Sequence, residues 1–136
     1  NVIEFVTFMT TGDVTDFGDL SAQKKGSGKG NASNSTRAIF CGEDKSGDTI
    51  TNVIEFITIA TTGNSIDFGD ATSNISTVAN LFSSTRGVFS GGYNGSSNVN
   101  SIQFVEIATT GNAQDFGDCT LTNASRTGAS SGHGGL

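Results

Sequence analysis

The chain has no proline and no tryptophan, and it holds one methionine, one tyrosine, one histidine and two cysteines. Hydrophobic residues are scarce at 34%, and ten of them are Phe. So thin an apolar supply does not build a thick helical core, but it can fill β layers in which half of each strand meets water. Charge is scarce as well, at 15% of residues, and the net charge is −6. Phosphate binding requires clustered Lys and Arg. The only basic cluster is Lys24, Lys25 and Lys29, in a Gly/Ser-rich stretch that reads as a solvated loop. Nucleic acid is therefore not an expected partner. No apolar run reaches the about 18 residues that a membrane helix needs, so membrane insertion is not expected either. The chain starts at Asn1 without a methionine, as expected of a stretch cut from something longer, and the lack of a visible leader carries no information. Cys41 and Cys119 with the lone His133 make no zinc set. A disulfide between them is possible but not indicated.

What is abundant is glycine, 19 in 136 residues, together with Ser, Thr and Asn, and above all an internal repeat. The block Asn1-Val-Ile-Glu-Phe-Val-Thr-Phe-Met-Thr-Thr-Gly-Asp-Val-Thr-Asp-Phe-Gly-Asp19 returns from Asn52 to Asp70, and again from Asn100 to Asp118. The offsets are 51 and 48 residues. Between these blocks a second motif recurs: Ser-Thr-Arg37-Ala-Ile-Phe-Cys-Gly42 matches Ser-Thr-Arg86-Gly-Val-Phe-Ser-Gly-Gly92. The units divide as 1–51, 52–99 and 100–136.

Each unit reads as four short strands. Residues 53–60 are rich in Val, Ile, Phe and Thr, with no helix breaker and no capping pattern. Thr62-Gly63-Asn64 reads as a turn, because Gly and Asn tolerate positive φ. Further strands are expected at 66–71, near 76–82 and at 85–90, the last ending in Gly91-Gly92. The stretches 43–51 and 93–99 read as loops between units. Strands recurring with turn signals about every 8 to 12 residues argue for an all-β repeat architecture, and a unit of this length suits a four-stranded propeller blade.

The order of a strand, Gly-Gly, a loop, an apolar strand, a Thr-Gly-Asn turn and an aromatic strand resembles the kelch repeat. The glycine pair stands intact at Gly91-Gly92, whereas the first copy has Gly42-Glu43. The tryptophan usual in the last kelch strand is missing, and Phe17, Phe68 and Phe116 are expected to fill that layer. Ala-Thr-Thr-Gly-Asn followed by Asp-Phe-Gly-Asp is similar to the kelch-like repeats in structural proteins of tailed phages, especially marine cyanophages. The ending Ser-Gly-His133-Gly-Gly-Leu136 is similar to the C-terminus of such proteins. The resemblance implies a kelch-like β-propeller of which this chain is a C-terminal part. A closed ring takes about four to eight blades, so further repeats or other copies are expected to complete it. It also implies location in the virion, extracellular once assembled.

Several patterns invite a chemical reading. Asp-Phe-Gly at Asp16, Asp67 and Asp115 is also the magnesium-binding tripeptide of protein kinases, but no kinase nucleotide loop or catalytic loop accompanies it. The favoured reading is structural: Asp satisfies turn backbone, Phe packs between repeats, and Gly allows close approach. Oxygen-bearing residues recur three apart at Asp13, Asp16 and Asp19, at Asn64, Asp67 and Asp70, and at Asn112, Asp115 and Asp118. Calcium, which takes about six to eight oxygen ligands, could use such turns, and turn capping or pairing with a repeat arginine is the competing reading. No other cofactor is indicated. Arg37 and Arg86 share one repeat position, with Arg126 in the preceding strand of the next unit. They are expected to pair with Asp19, Asp70 or Asp118. His133 reads as a terminal turn residue, and no Gly-x-Ser-x-Gly nucleophile elbow exists. Asn-x-Ser/Thr sequons begin at Asn31, Asn34, Asn74, Asn94 and Asn123. They matter only in a protein secreted from a eukaryote.

The function expected from these features together is that of a non-enzymatic virion component: a tail fibre, nozzle or neck protein. Its repeats would form a rigid scaffold that presents loops. Glu43, Lys45, Tyr93, Asn94 and Asn98 are the candidate loop contacts. The partners would be other virion proteins, copies of itself, or a host-surface glycan, with weak sites strengthened by multivalency. A cellular kelch-type interaction module is the alternative. A glycan-degrading propeller would need two carboxylates set across a pocket. Glu4 and Glu55 instead occupy equal repeat positions, as strand decoration does.

Overall fold

The computed structural model describes residues 1–23, 31–45, 49–125 and 127–130, with the side chains of 43–45 left aside. The described residues form ten strands and no helix. In chain order these are β1 (Val2–Phe5), β2 (Thr15–Asp19), β3 (Asn31–Ser33), β4 (Arg37–Lys45), β5 (Thr49–Thr58), β6 (Ile66–Asp70), β7 (Ala79–Phe82), β8 (Arg86–Tyr93), β9 (Asn98–Glu106) and β10 (Gln114–Asp118). They make three antiparallel sheets: β1-β2, then β3-β4-β5-β6, then β7-β8-β9-β10. Below these are sheets I, II and III. Every strand pairs with its neighbour in sequence, as short turns between antiparallel strands dictate. Each four-stranded sheet takes two strands before the Asn52 or Asn100 block and two from the block itself.

The repeat in sequence is a repeat in register. Glu4 faces Asp16 and Ile3 faces Gly18, so Phe17 is an extra residue between them. The same skip sets Glu55 against Asp67 and Ile54 against Gly69, and Gln103 against Asp115 and Ile102 against Gly117. Each Asp-Phe-Gly is thus a β-bulge with Phe as the unpaired residue, and the following Gly takes φ near +140°. The bulge sets the Phe ring edge-on to a Phe of the partner strand. Centroid distances are 6.1 Å for Phe5–Phe17, 5.8 Å for Phe56–Phe68 and 6.0 Å for Phe104–Phe116.

Two expected loops are shorter than expected, strand taking 43–45 and 49–51 of the first and 93, 98 and 99 of the second. β4 runs on through Gly42 to Lys45 and β5 begins at Thr49. β8 runs through Gly91-Gly92 to Tyr93 and β9 begins at Asn98. The glycines do not end these strands, because a one-residue bulge absorbs the irregularity and the ladder resumes beyond it. The reason for glycine lies outside the sheet. The segment between β6 and β7 passes over both bulges, and a Cβ on Gly42 or Gly92 would run into the carbonyl of Ile75 or Ser76. Ser76 and Tyr93 there exchange backbone hydrogen bonds, each 2.9 Å.

The core lies between sheets II and III. Ala32, Ile39, Cys41, Ile54, Phe56 and Phe68 of sheet II meet Phe89, Val105 and Ile107 on the sheet III side, with Ala71, Ile75 and Val78 from the connecting segment. Four consecutive β5 residues, 54–57, are buried. Such a run marks a strand covered on both faces, here by sheet I and sheet III. β1 has no buried residue.

Candidate functional site

The candidate contact residues fall on the tips of two hairpins. Tyr93 and Asn98 face each other as the last pair of β8 and β9. Between them Asn94 closes the turn: its Oδ1 accepts from the N–H groups of Ser96 and Ser97, each at 2.9 Å. Such Asx turns are why Asn is favoured at hairpin tips. The Tyr93 hydroxyl donates to the Gly95 carbonyl at 2.9 Å. Two of the five candidates thus spend polar groups on shaping the tip. The tip that results is exposed from residue 93 to 98. Glu43 and Lys45 belong to the matching hairpin, where Glu43 pairs with Thr51 and Lys45 with Thr49 in the ladder; their side chains lie outside the described residues. The two tips are neighbours, since a Cβ on Gly95 would touch Ile50 Cδ1. The structure therefore brings the two hairpins to one end and presents Tyr93, backbone amides and small hydroxyl side chains there. These groups can stack on and hydrogen-bond a polar ligand.

The opposite end carries the arginines. Arg37 lies over the Phe56 ring, 4.6 Å from its centroid, and Arg86 lies over Phe104 at 4.7 Å. Neither meets the aspartates expected of it. Arg37 donates to the Ile107 carbonyl at 3.0 Å, and Arg86 Nε pairs with Glu106 at 2.6 Å. Register explains the second pairing, because Arg86 stands directly across β8–β9 from Glu106. A recess of about 150 Å³ opens at this end, lined by Phe104, Glu106, Thr110, Asn112 and Gln114 among others. It is well below the about 300 Å³ at which small-molecule pockets begin.

The Asp-Phe-Gly-Asp segments are contact points between sheets. Gly63 N–H donates to the Phe17 carbonyl at 2.7 Å and Ser65 N–H to that of Asp19 at 2.9 Å, while Asn64 Oδ1 accepts from Asp19 N–H at 3.0 Å. One repeat on, Gly111 donates to Phe68 at 2.8 Å, Ala113 to Asp70 at 2.8 Å, and Asn112 Oδ1 accepts from Asp70 N–H at 3.0 Å. The Thr-Gly-Asn turns of sheets II and III thus each grip the last strand of the sheet before. The expectation for Phe and Gly holds at the first two copies: Phe17 and Phe68 are buried, and a Cβ on Gly18 or Gly69 would run into the carbonyl of Gly63 or Gly111. The expectation for Asp is corrected. Asp16, Asp67 and Asp115 are exposed, and the capping oxygen comes from the turn Asn of the next sheet.

Two site residues were not legible as such. Glu55, expected together with Glu4 to be strand decoration, is instead buried, as is Gln103 at the same repeat position. Glu55 Oε2 accepts from Ser21 N–H at 2.9 Å and from the Ser65 hydroxyl. Gln103 Oε1 accepts from Thr72 N–H at 2.8 Å and from its hydroxyl at 3.2 Å. The signal available was the recurrence of Ser21, Thr72 and Thr120 at one repeat position, each 17 residues after Glu4, Glu55 or Gln103. No group of three or more His, Cys, Asp or Glu side chains that could hold a metal occurs among the described residues. The possible calcium positions are split, with Asp13 before the strand and Asp16 and Asp19 on it. Cys41 is buried in β4, Cys119 Sγ lies 3.0 Å from Ser90 Oγ, and the two cysteines are not joined. Lys24, Lys25, Lys29, Arg126 and His133 lie outside the described residues. No described helix is long and apolar enough to cross a membrane.

A scan against models of known protein families finds no match to the chain, and no curated protein matches it.

Proposed function

We propose that the chain is a kelch-like propeller segment of a tailed-phage virion: a non-catalytic scaffold whose hairpin tips touch a host-surface glycan or another virion protein. In this reading sheets II and III are two successive blades and sheet I is part of a third. The observation that carries the scaffold reading is the recurrence of one contact. The turns of sheets II and III bind the Asp-Phe-Gly-Asp strand before them with the same donors and acceptors. A contact repeated at fixed spacing is how solenoids and propellers shield apolar faces that one repeat cannot bury alone. The paired hairpin tips support the binding role, since loops on a rigid scaffold carry recognition, and their chemistry suits sugar hydroxyls. The virion assignment rests on the likeness of the repeat wording to kelch-like phage structural proteins.

The test has two arms. Mass spectrometry and antibody labelling of purified particles are expected to find the protein in the virion; its recovery only from host cytosol would end this reading. Glycan-array binding by the chain is expected to fall at least tenfold in Tyr93→Ala. Released sugars after incubation with host polysaccharide would overturn the non-catalytic assignment.

A further inference from the structure

Asn94 is the one asparagine of the chain that precedes a glycine. The side-chain carbonyl of an asparagine can be attacked by the backbone nitrogen of the next residue, and any Cβ on that residue crowds the ring that closes. At the β8–β9 tip both residues are exposed, and Gly95 takes φ +101°. The Gly95 N–H has no hydrogen-bond partner among the described residues, and neither does Asn94 Nδ2. Asn94 Oδ1 accepts from the N–H groups of Ser96 and Ser97, each at 2.9 Å. Other asparagines in turns lack this combination. After Asn64 and Asn112, the nitrogens of Ser65 and Ala113 are committed to the carbonyls of Asp19 and Asp70 at 2.9 and 2.8 Å. Asn34 makes the same kind of turn, its Oδ1 accepting from the N–H groups of Thr36 and Arg37 at 2.9 Å. But Ser35 follows it, and its Nδ2 is held by the Ser84 carbonyl at 3.1 Å.

We propose that Asn94 is a site of spontaneous modification, converted through a succinimide to aspartate and isoaspartate. The Gly95 nitrogen loses its proton and forms a bond to Asn94 Cγ. The Cγ–Nδ2 bond breaks, and Nδ2 leaves as ammonia with the proton that Gly95 gave up. Water then opens the ring, at Cγ to give isoaspartate's alternative, aspartate, or at the Asn94 backbone carbonyl carbon to give isoaspartate. As the nitrogen attacks, negative charge gathers on Oδ1, where two N–H groups already point. Those bonds strengthen toward the transition state, so they lower the barrier more than they stabilise the starting amide. Either product adds a carboxylate to a chain whose net charge is −6. Isoaspartate also lengthens the turn backbone by one carbon and removes the side-chain acceptor that shapes the tip beside Tyr93. Only the effect on a bound glycan rests on the function proposed above; the conversion itself does not.

Incubation of the folded 136-residue chain in heavy-oxygen water at mildly alkaline pH, followed by peptide mass spectrometry, reads the conversion out. Residue 94 is expected to take up the heavy oxygen and to appear as both aspartate and isoaspartate. Asn94 is expected to convert at least about tenfold faster than Asn34, Asn64 or Asn112. A synthetic peptide of residues 91–99, which lacks the strand ladder around the tip, serves as the reference. The folded chain is expected to convert no more slowly than this peptide. An Asn94 that converts no faster than the other three asparagines overturns the proposal. So does an Asn94 that survives longer in the folded chain than in the peptide, because the tip would then protect the amide rather than promote its loss.

Discussion

Single atoms at the sheet junctions decide how much each repeat position matters. Gly69 needs its φ of +144° for the bulge and also the empty space where a side chain would meet the Gly111 carbonyl. Gly69→Ala is therefore expected to lower stability by about 2–4 kcal/mol, joining backbone strain to overpacking. Gly63→Ala meets nothing within 4 Å but carries the strain of its φ of +157° without the collision, so it is expected to cost about 1–3 kcal/mol and less than Gly69→Ala. Urea denaturation of the pair separates close approach from turn conformation. Gln103 is fully buried, and its Oε1 is the acceptor for Thr72, while its Nε2 has no hydrogen-bond partner among the described residues. Gln103→Met keeps the volume but strands the Thr72 N–H, so a loss of about 1–3 kcal/mol is expected. Gln103→Glu, the residue that Glu55 supplies one repeat earlier, tests whether the acceptor oxygen is what the position needs. It is expected to keep the bond to Thr72.

Among the strands, burial follows position in the stack rather than composition. Phe89 on β8 has no exposed surface, and Phe116 on β10 is mostly in water. Phe89→Ala is expected to destabilise by about 3–5 kcal/mol. Phe116→Ala, which loses only the edge contact with Phe104, is expected to cost about 0.5–1.5 kcal/mol. Thermal unfolding at low concentration distinguishes the two. The β8 arginine gives a milder case. Arg86 and Glu106 are each about half exposed, so their pairing contributes about 0.2–1 kcal/mol and weakens with salt. Arg86→Ala should cost no more than about 1–2 kcal/mol once the Phe104 contact is included. The difference between wild type and variant should shrink in 1 M salt, a comparison that denaturation at two ionic strengths makes directly.

At the scale of the whole molecule, sheet II is covered on both faces, while sheets I and III each expose one. Stability should therefore grade along the stack, as in arrays whose repeats touch only neighbours. Hydrogen exchange is expected to be slowest in β5, where residues 54–57 are all buried, and fastest in β1. Equal protection in β1 and β5 would contradict that picture.

The all-β class, the turns at 62–64 and the strand of each Asn-x-Ile block were legible because local chemistry specifies them. β-branched and aromatic residues favour extended backbone, and Gly and Asn favour turns. The spacing also pointed to Phe and Gly of Asp-Phe-Gly as packing residues, since a tripeptide restated in every unit answers a need restated in every unit. What the sequence left open depends on atoms contributed by the neighbouring sheet. The Gly91-Gly92 pair read as a strand end, because nothing local shows that the partner strand resumes the ladder past a bulge. Asn64 read as serving its own turn, although its side-chain oxygen reaches Asp19 of sheet I. Glu4, Glu55 and Gln103 looked alike along the chain, and burial separates them only because two of the three lie between sheets. Local propensity thus determined which residues are strand and which are turn, while the stacking of sheets decided which polar groups are structural and which faces remain open.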